Sequence, residues 1–527
     1  MTSKTPQFLI AALTLFLIPF LSIPGHGEAL QTGVMLAQVA YPAGTEGTPV
    51  VFQFDKPYLC GQYANGDWWV AVDAPKQTVV VKDITPGYTS GRNGWCANPV
   101  EQNKQPFDDR SRLKFDAGLI PSLPYSAGPG TSLVKAVSSP SQVRHSFVQT
   151  ARVLTVVAEA PAYSTRLFRP PYMGSHKKEF RTDALRMDFL PRLARTARAP
   201  SKETAEQGLD IPRLDYISNW SSSDIRPVEA TFSWGAEMAV KDCETLLWLC
   251  SDVPDGDKKK AVIGLVQYGI DLYGAREELG AKWVHGGGGN GHGRLLPFVF
   301  AATMLDSDAM KKALARTAAG ADKDHRDVFW EDVMFYRSSR NNGMVLWGMD
   351  AANIVGPQKV EEIYWKSISV NPELYKAAKD PYEWIDGAAI PGGQYQGCVS
   401  LPVKYTALVL HLIPELRKAW PEEKIKIMEY ADRWTTEGTR TLPDPFAPPV
   451  KLTEEQWGKR SEHGYGKTWG PDPDHPGEAL RGAGRFPSLQ GTHINSDDQP
   501  AGRKSVFGEE MWNAYRSSNC NAVGINH

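Results

Sequence analysis

The sequence predicts a mainly α chain with a β-rich N-terminal domain, its helices arranged in pairs. Three observations predict this class. Between about residues 45 and 160 the apolar residues fall in short β-branched or aromatic runs separated by Gly, Pro and Ser. From about residue 234 the apolar spacing changes to three and four, the period of a helix with one buried face. Beyond that point the order helix, short turn, helix, aromatic loop recurs. Antiparallel helix pairs of this kind stack into a solenoid or close into a toroid, and in the closed form the loops at one end ring a cleft.

Residues 1–27 read as a secretory signal: Lys4 supplies the charge, residues 8–23 the apolar stretch, and Gly25 and Gly27 flank a cleavage point. The apolar stretch is about 16 residues, against the ~20 that span a bilayer. The expectation is a secreted or periplasmic protein with no stable membrane insertion after signal removal.

In the β-rich domain, Val50-Val-Phe-Gln-Phe54, Asp67-Trp-Trp-Val-Ala-Val72, Thr78-Val-Val-Val-Lys-Asp-Ile84 and Val153-Leu-Thr-Val-Val-Ala158 are strand candidates. Asn65-Gly66 is a hairpin-turn dipeptide, because both residues tolerate a left-handed backbone. Residues 161–230 read as a connector. Arg169-Pro-Pro-Tyr172 is extended by proline geometry, and Pro212 and Pro227 bound another irregular piece. Residues 231–527 are expected to form a toroid-like domain that would carry the chemistry. Helices are expected at 234–249, 257–278, 294–305, 307–319, 358–370, 400–420, 421–437 and 505–517. Ser307 caps the fourth, Pro414 kinks or ends the sixth, and Pro421-Glu-Glu opens the seventh. The Pro/Gly/Asp-rich residues 438–504 read as a long loop.

Composition narrows the function classes. The 527 residues are 42% hydrophobic and 22% charged with a formal net charge of −2, which gives no basis for nucleic-acid binding. The 16 Trp and 19 Tyr point to a carbohydrate ligand, since aromatic faces stack on sugar rings; core filling accounts equally well for any single one. Among the six cysteines, Cys60 and Cys96 share the strand-rich region and are a candidate disulfide. Cys243 and Cys250 bridge only if their helix ends before Cys250.

The stretch most suited to chemistry is His285-Gly-Gly-Gly-Gly-Asn290-Gly-His292-Gly-Arg294. Six of its ten residues are glycine, and the apolar residues 295–305 follow. Glycine lets backbone bend sharply and approach a ligand, so the loop can aim two imidazoles, an amide and a guanidinium into a cleft. The bland alternative is a helix-entry loop whose polar groups only cap and solvate. His285 and His292 could reach one metal ion, but the i, i+4 spacing or added carboxylates of a catalytic zinc site are missing. The expectation is no cofactor, with a structural divalent metal open near Asp472 and Asp474 or Asp497 and Asp498.

Asn290-Gly-His292-Gly293 resembles the Asn-His motif, often Asn-Asn-His-Gly, of the heparinase II/III and alginate-lyase groups of polysaccharide lyases. The resemblance covers roughly residues 230–440 as architecture and four residues as motif. It implies an (α/α) toroid or incomplete toroid, and cleavage of a uronic-acid glycan by β-elimination. Gly291 separates the Asn and His that the family has adjacent, so Asn341 or Asn342, in Asn341-Asn-Gly343, is an alternative source of the Asn role. In that chemistry a base takes the C5 proton, a neutral or cationic group stabilises the charge growing on the carboxylate, and an acid protonates the departing O4. The resemblance gives Asn290 the neutralising role, His292 that of base, with His285 as a second base, and Tyr336 or Tyr395 that of acid. Arg294, Arg337 and Arg340 would bind carboxylates through their planar forks, with Asn341, Asn342, Gln394 and Trp283 as further substrate contacts. The partner is then an acidic polysaccharide or oligosaccharide.

Two rivals stand beside this reading. An inverting glycoside hydrolase on a toroid fits the order of the domains and needs two carboxylates across a cleft; Glu237, Glu331, Asp332 and Asp386 are candidates because each lies near a Trp. A non-catalytic glycan-binding protein using Trp platforms leaves the glycine loop without a purpose.

Overall fold

The computed structural model describes residues 33–44, 47, 49–72, 77–283, 289–318, 329–337, 345–347, 393–421, 425–437, 468–471, 479–481 and 504–516. The expected signal, the helix at 358–370 and most of the loop at 438–504 lie outside these residues, as do His285, Arg340, Asn341, Asn342 and Asp386, and Asp472, Asp474, Asp497 and Asp498.

The N-terminal part is a mixed sheet of eight strands: β1 (Val34–Ala40), β2 (Val51–Gln62), β3 (Trp68–Ala71), β4 (Val79–Thr85), β5 (Trp95–Ala97), β6 (Tyr125–Ala127), β7 (Ser132–Val143) and β8 (Ser146–Val157). Seven run in the order β5-β7-β8-β3-β2-β4-β6, and β1 pairs with β2 off that path. The sheet curls into a half-barrel. β3 and β8 pair in parallel, and every other named pair is antiparallel. The predicted Asn65-Gly66 turn joins β2 to β3, with Gly66 at φ 88°.

Period-two alternation divides the sheet between two cores. On β7 and β8, Leu133, Val137, Leu154 and Val156 face the inside of the half-barrel, against Phe52, Phe54, Val79 and Val81. Val134, Ala136, Ala151 and Val153 join the larger core shared with the helices. Those helices are α1 (Lys202–Glu206), α2 (Gly235–Leu249), α3 (Asp255–Leu279), α4 (Leu295–Met304), α5 (Asp308–Ala318) and α6 (Trp330–Val333), followed by Gly393–Leu412, Pro414–Ala419, Lys426–Glu437 and Val506–Tyr515.

This arrangement corrects the expected class. Of the described residues 37% are helical and 23% strand, so the chain is not mainly α, and a curled mixed sheet with helices replaces the expected toroid. The sequence reading missed β1 and β5–β7; β5 and β6 are only three residues long, and the polar Ser138-Ser-Pro-Ser-Gln142 hides the alternation in β7. Among the described residues the helices pack only in part as consecutive pairs. α3 lies on α4, but α2 makes its main helix contact with Gly393–Leu412, far along the chain.

Residues 161–230 are part of the core. Phe168, Tyr172, Met173, Tyr216, Ile217 and Ile225 are buried within the same cluster as the sheet and helices. Buried ion pairs fix this segment in place. Arg169 donates Nε–H to Asp67 Oδ2 at 2.6 Å, beside β3, and both terminal nitrogens to the Asp271 carboxylate on α3 at 3.0 and 2.6 Å. The three side chains are 1%, 2% and 8% exposed, which makes this triad a direct link from sheet to helix. Arg213 holds Asp242 of α2 in the same bidentate way, at 2.7 and 2.5 Å. Burial pushes the Asp271 carboxyl up to about 6, against the opposing pull of Arg169.

Removing one partner of a buried pair strands the other charge. Arg169→Met is therefore expected to lower the unfolding free energy by about 3–5 kcal/mol, read by urea denaturation. Stability within about 1 kcal/mol of the parent would show that the triad does not tie the sheet to α3.

Candidate functional site

The glycine loop ends in a tight sequence of turns that delivers His292 to the base of α4. Gly293 takes φ 87°, a left-handed backbone that disfavours a β-carbon. Gly291 is held by close approach: a β-carbon there would lie 2.1 Å from the Trp283 carbonyl oxygen. On the other side Gly235, the first residue of α2, is equally confined, since its β-carbon would lie 2.4 Å from the carbonyl oxygens of Asn290 and His292. The loop is thus clasped between α2 and the segment entering α6.

That segment supplies the partners of His292. The Trp330 N–H donates to the Trp283 carbonyl at 2.9 Å, and Trp283 stacks on Phe329 with centroids 5.5 Å apart. Trp330 stacks in turn on the His292 ring, with centroids 4.6 Å apart and planes 19° from parallel. The next residue, Glu331, places Oε1 4.0 Å from His292 Nε2, and both side chains are 0% exposed. Glu331 Oε1 accepts the Gly293 N–H at 2.9 Å, and the carboxyl takes a further backbone hydrogen bond from Leu295. Glu331 therefore sits at the N-terminus of α4, where free amides and the helix dipole favour an anion.

The electrostatics of the two groups diverge. Burial, aided by the nearby Arg294 charge, lowers the His292 pKa to about 3, so its imidazole is neutral. Burial raises Glu331 to about 7 despite its backbone hydrogen bonds and the Arg294 charge, so near neutral pH it is part acid, part anion. Among the described residues neither ring nitrogen of His292 has a hydrogen-bond partner, nor do Glu331 Oε2, Asn290 Oδ1 and Trp330 Nε1.

Arg294 holds the loop. Its Nε and Nη2 donate to the two Asp215 oxygens at 2.7 and 3.0 Å, and its Nη1 to the Asn290 and His292 carbonyls at 2.5 and 2.7 Å. Asp215 also accepts the Tyr268 hydroxyl at 2.7 Å and Arg226 Nε–H at 3.0 Å. Burial works to raise the Asp215 carboxyl, but Arg226 and Arg294 hold it well below the usual carboxylate range.

Of the residues expected at the site, His292 and Asn290 come together. Arg294 is fully buried, pairs with Asp215 and positions the loop. Trp283 is 2% exposed, lies in the core and donates its indole N–H to the Asp215 carbonyl at 3.2 Å. Tyr336 and Arg337 lie on the short strand β9 (Phe335–Arg337), directly after α6, and Gln394 and Tyr395 in the first turn of Gly393–Leu412; their side chains, like that of Asp332, are outside the described set. Glu331, expected only for a hydrolase, joins His292. Glu237 lies in the first turn of α2, 3.7 Å from Arg144. Sequence reasoning missed Asp215, Arg226, Tyr268 and the stacking role of Trp330. No local spacing marks them, although Trp330-Glu331 stood out as a carboxylate beside a Trp.

The expected disulfides are overturned. Cys60, Cys96, Cys243 and Cys250 are buried free thiols. Cys60 faces the half-barrel core and Cys96 the helical core, on opposite sides of the sheet. α2 runs unbroken to Leu249, which separates Cys243 from Cys250 by about 10 Å of helical rise, beyond disulfide reach. Burial pushes the Cys60 and Cys250 thiols up to about 12. Among the described residues no group of three His, Cys, Asp or Glu is placed to hold a metal ion, and no helix is long and apolar enough to cross a membrane.

No known protein family, curated protein or solved structure matches the chain.

Because His292 titrates near 3 in the fold and near 6.5 in the unfolded chain, the unfolded state binds the extra proton between those values. Stability contributed at this position is complete above pH 6.5 and declines as the pH falls towards 3. His292→Phe keeps the ring and removes the titration. The stability difference, parent minus variant, should fall by roughly 1.4 kcal/mol per pH unit between pH 6 and 4, by urea denaturation at each pH. A difference independent of pH would contradict the buried neutral imidazole.

Proposed function

We propose that this chain is a secreted or periplasmic enzyme that cleaves a uronic-acid polysaccharide by β-elimination, with His292 and Glu331 as its proton-transfer pair. The observation that carries the acid–base assignment is the fully buried His292 imidazole, both nitrogens unpartnered among the described residues, 4.0 Å from a carboxyl raised to about 7. Groups whose surroundings drive their protonation apart are the usual signature of an acid and a base. The uronate substrate is supported by the Asn290-Gly-His292-Gly293 resemblance and the aromatic content of the sequence.

In this mechanism neutral His292 takes the proton from C5, α to the uronate carboxylate. The C4–O4 bond breaks, its electrons leave with O4, and the C5–H electrons form the C4=C5 double bond. Protonated Glu331 gives its proton to O4, in the role the sequence reading assigned to a tyrosine. The Asn290 amide beside the carboxylate stabilises the enolate-like charge. Afterwards a proton passes from His292 to Glu331, which restores both groups without consuming water. Because both side chains are fully buried, substrate contact requires the covering chain to move aside.

A second reading, glycoside hydrolysis, is favoured by the same raised carboxyl, since a hydrolase needs a protonated acid at neutral pH. Digestion of alginate, glucuronan and glycosaminoglycans separates the two. β-Elimination yields the ultraviolet absorbance of an unsaturated uronate, whereas new reducing ends without that absorbance establish hydrolysis and overturn the proposal. His292→Ala and Glu331→Gln are each expected to lower kcat by about 10²–10⁴-fold with the fold retained. Since Glu331 acts only when protonated, the parent rate should fall as pH rises through about 7. Near-parental turnover by either variant would reject the pair.

A further inference from the structure

We infer that the tip of the β7–β8 hairpin is an outer binding surface for an acidic sugar residue of the substrate; this rests on the proposal that the substrate is a uronate glycan. The tip is a two-residue turn, Arg144–His145, closed by the Val143–Ser146 pair. Both residues are left-handed, with φ 48° and 77°. Turns of this form favour Asn-Gly, because a β-carbon on a left-handed backbone clashes with the neighbouring carbonyl. Arg and His at these positions are strained, and such strain persists where surrounding structure over-determines it and the side chains are needed there.

The hairpin reaches out of the sheet to meet α2. β7 and β8 are twelve residues each, and beyond the rungs shared with β5 and β3 they pair only with one another among the described strands. At the tip the His145 ring meets Trp234 edge to face, with centroids 4.9 Å apart. The Arg144 guanidinium lies over the Phe232 ring at 4.1 Å, and its Nη2 is 3.7 Å from Glu237 Oε1. The Arg144 side chain remains 37% exposed.

The patch adjoins the candidate site. Trp234 is the N-cap of α2, and the next residue, Gly235, packs against the Asn290 and His292 carbonyls. The exposed Arg144 guanidinium, the exposed His145 imidazole and the half-buried Trp234 ring match groups of a uronate residue. Its carboxylate suits the planar fork of Arg144, its hydroxyls suit His145, and its apolar face suits Trp234, while the buried Glu237 sits behind Arg144.

The test measures binding of short oligomers of glucuronate and of mannuronate by calorimetry, in the full chain carrying His292→Ala so that turnover does not intervene. Adding Arg144→Ala should weaken binding about tenfold, the loss of one charge-assisted hydrogen bond. Arg144→Gly relieves the strained backbone, so it should raise the thermal midpoint while weakening binding to the same degree. A gain in stability with unchanged affinity marks a merely structural turn and overturns the inference, even where the parent chain produces unsaturated uronate. Tip-dependent binding, when the parent chain with His292 intact produces no unsaturated uronate, overturns the β-elimination proposal and leaves the surface standing. Absence of binding to either oligomer overturns the surface.

Discussion

The Asp215 carboxylate is the point on which the rest of the molecule depends. It lies in an irregular stretch and gathers Arg226 from the same stretch, Tyr268 from α3 and Arg294 from the glycine loop. A carboxylate taken out of water is costly unless charge and hydrogen bonds replace its hydration. Two guanidiniums and a phenol replace it here, and the buried Arg226 extends the set to Ser222 Oγ at 2.8 Å. Arg294 is the branch that matters for chemistry. One edge of its fork grips Asp215 and the other holds the Asn290 and His292 carbonyls, so the position of His292 follows from a salt bridge several residues away in space.

The same charge layer sets the protonation of the candidate pair. Arg294 is close enough to disfavour a cationic His292 and to restrain the rise of Glu331. Trp330 covers one face of the imidazole and excludes water from it. The result is a neutral imidazole beside a partly protonated carboxyl, both fully buried. Farther out, the Asp67–Arg169–Asp271 triad repeats the principle, using a buried guanidinium to bind the half-barrel to α3.

What the sequence revealed follows from which constraints are local. The alternation in residues 50–54, 78–84 and 153–158 announced β2, β4 and β8 because each side chain there answers to its own pleat. Asn65-Gly66 announced its turn for an equally local reason. His292 and Asn290 were legible because the surrounding glycines marked a backbone under unusual demands. Glu331 surfaced only as a carboxylate beside Trp330. Asp215, Arg226 and Arg169 gave no signal, since their partners lie elsewhere in the chain and no short-range period encodes them. For the same reason residues 161–230 read as a connector although they carry the buried ion pairs. Most of the longer described helices were found, but their packing order was not, because α2 is matched to Gly393–Leu412 by long-range burial.

The central claim is that Glu331 carries a proton near neutral pH beside an unprotonated His292. Infrared difference spectroscopy across a pH titration reads a buried carboxyl directly. A protonated-carboxyl C=O band present at pH 6, lost with a midpoint near 7 and missing in Glu331→Gln, is the predicted result. A Glu331 carboxylate already ionised at pH 6, with no such band to lose, would contradict the account.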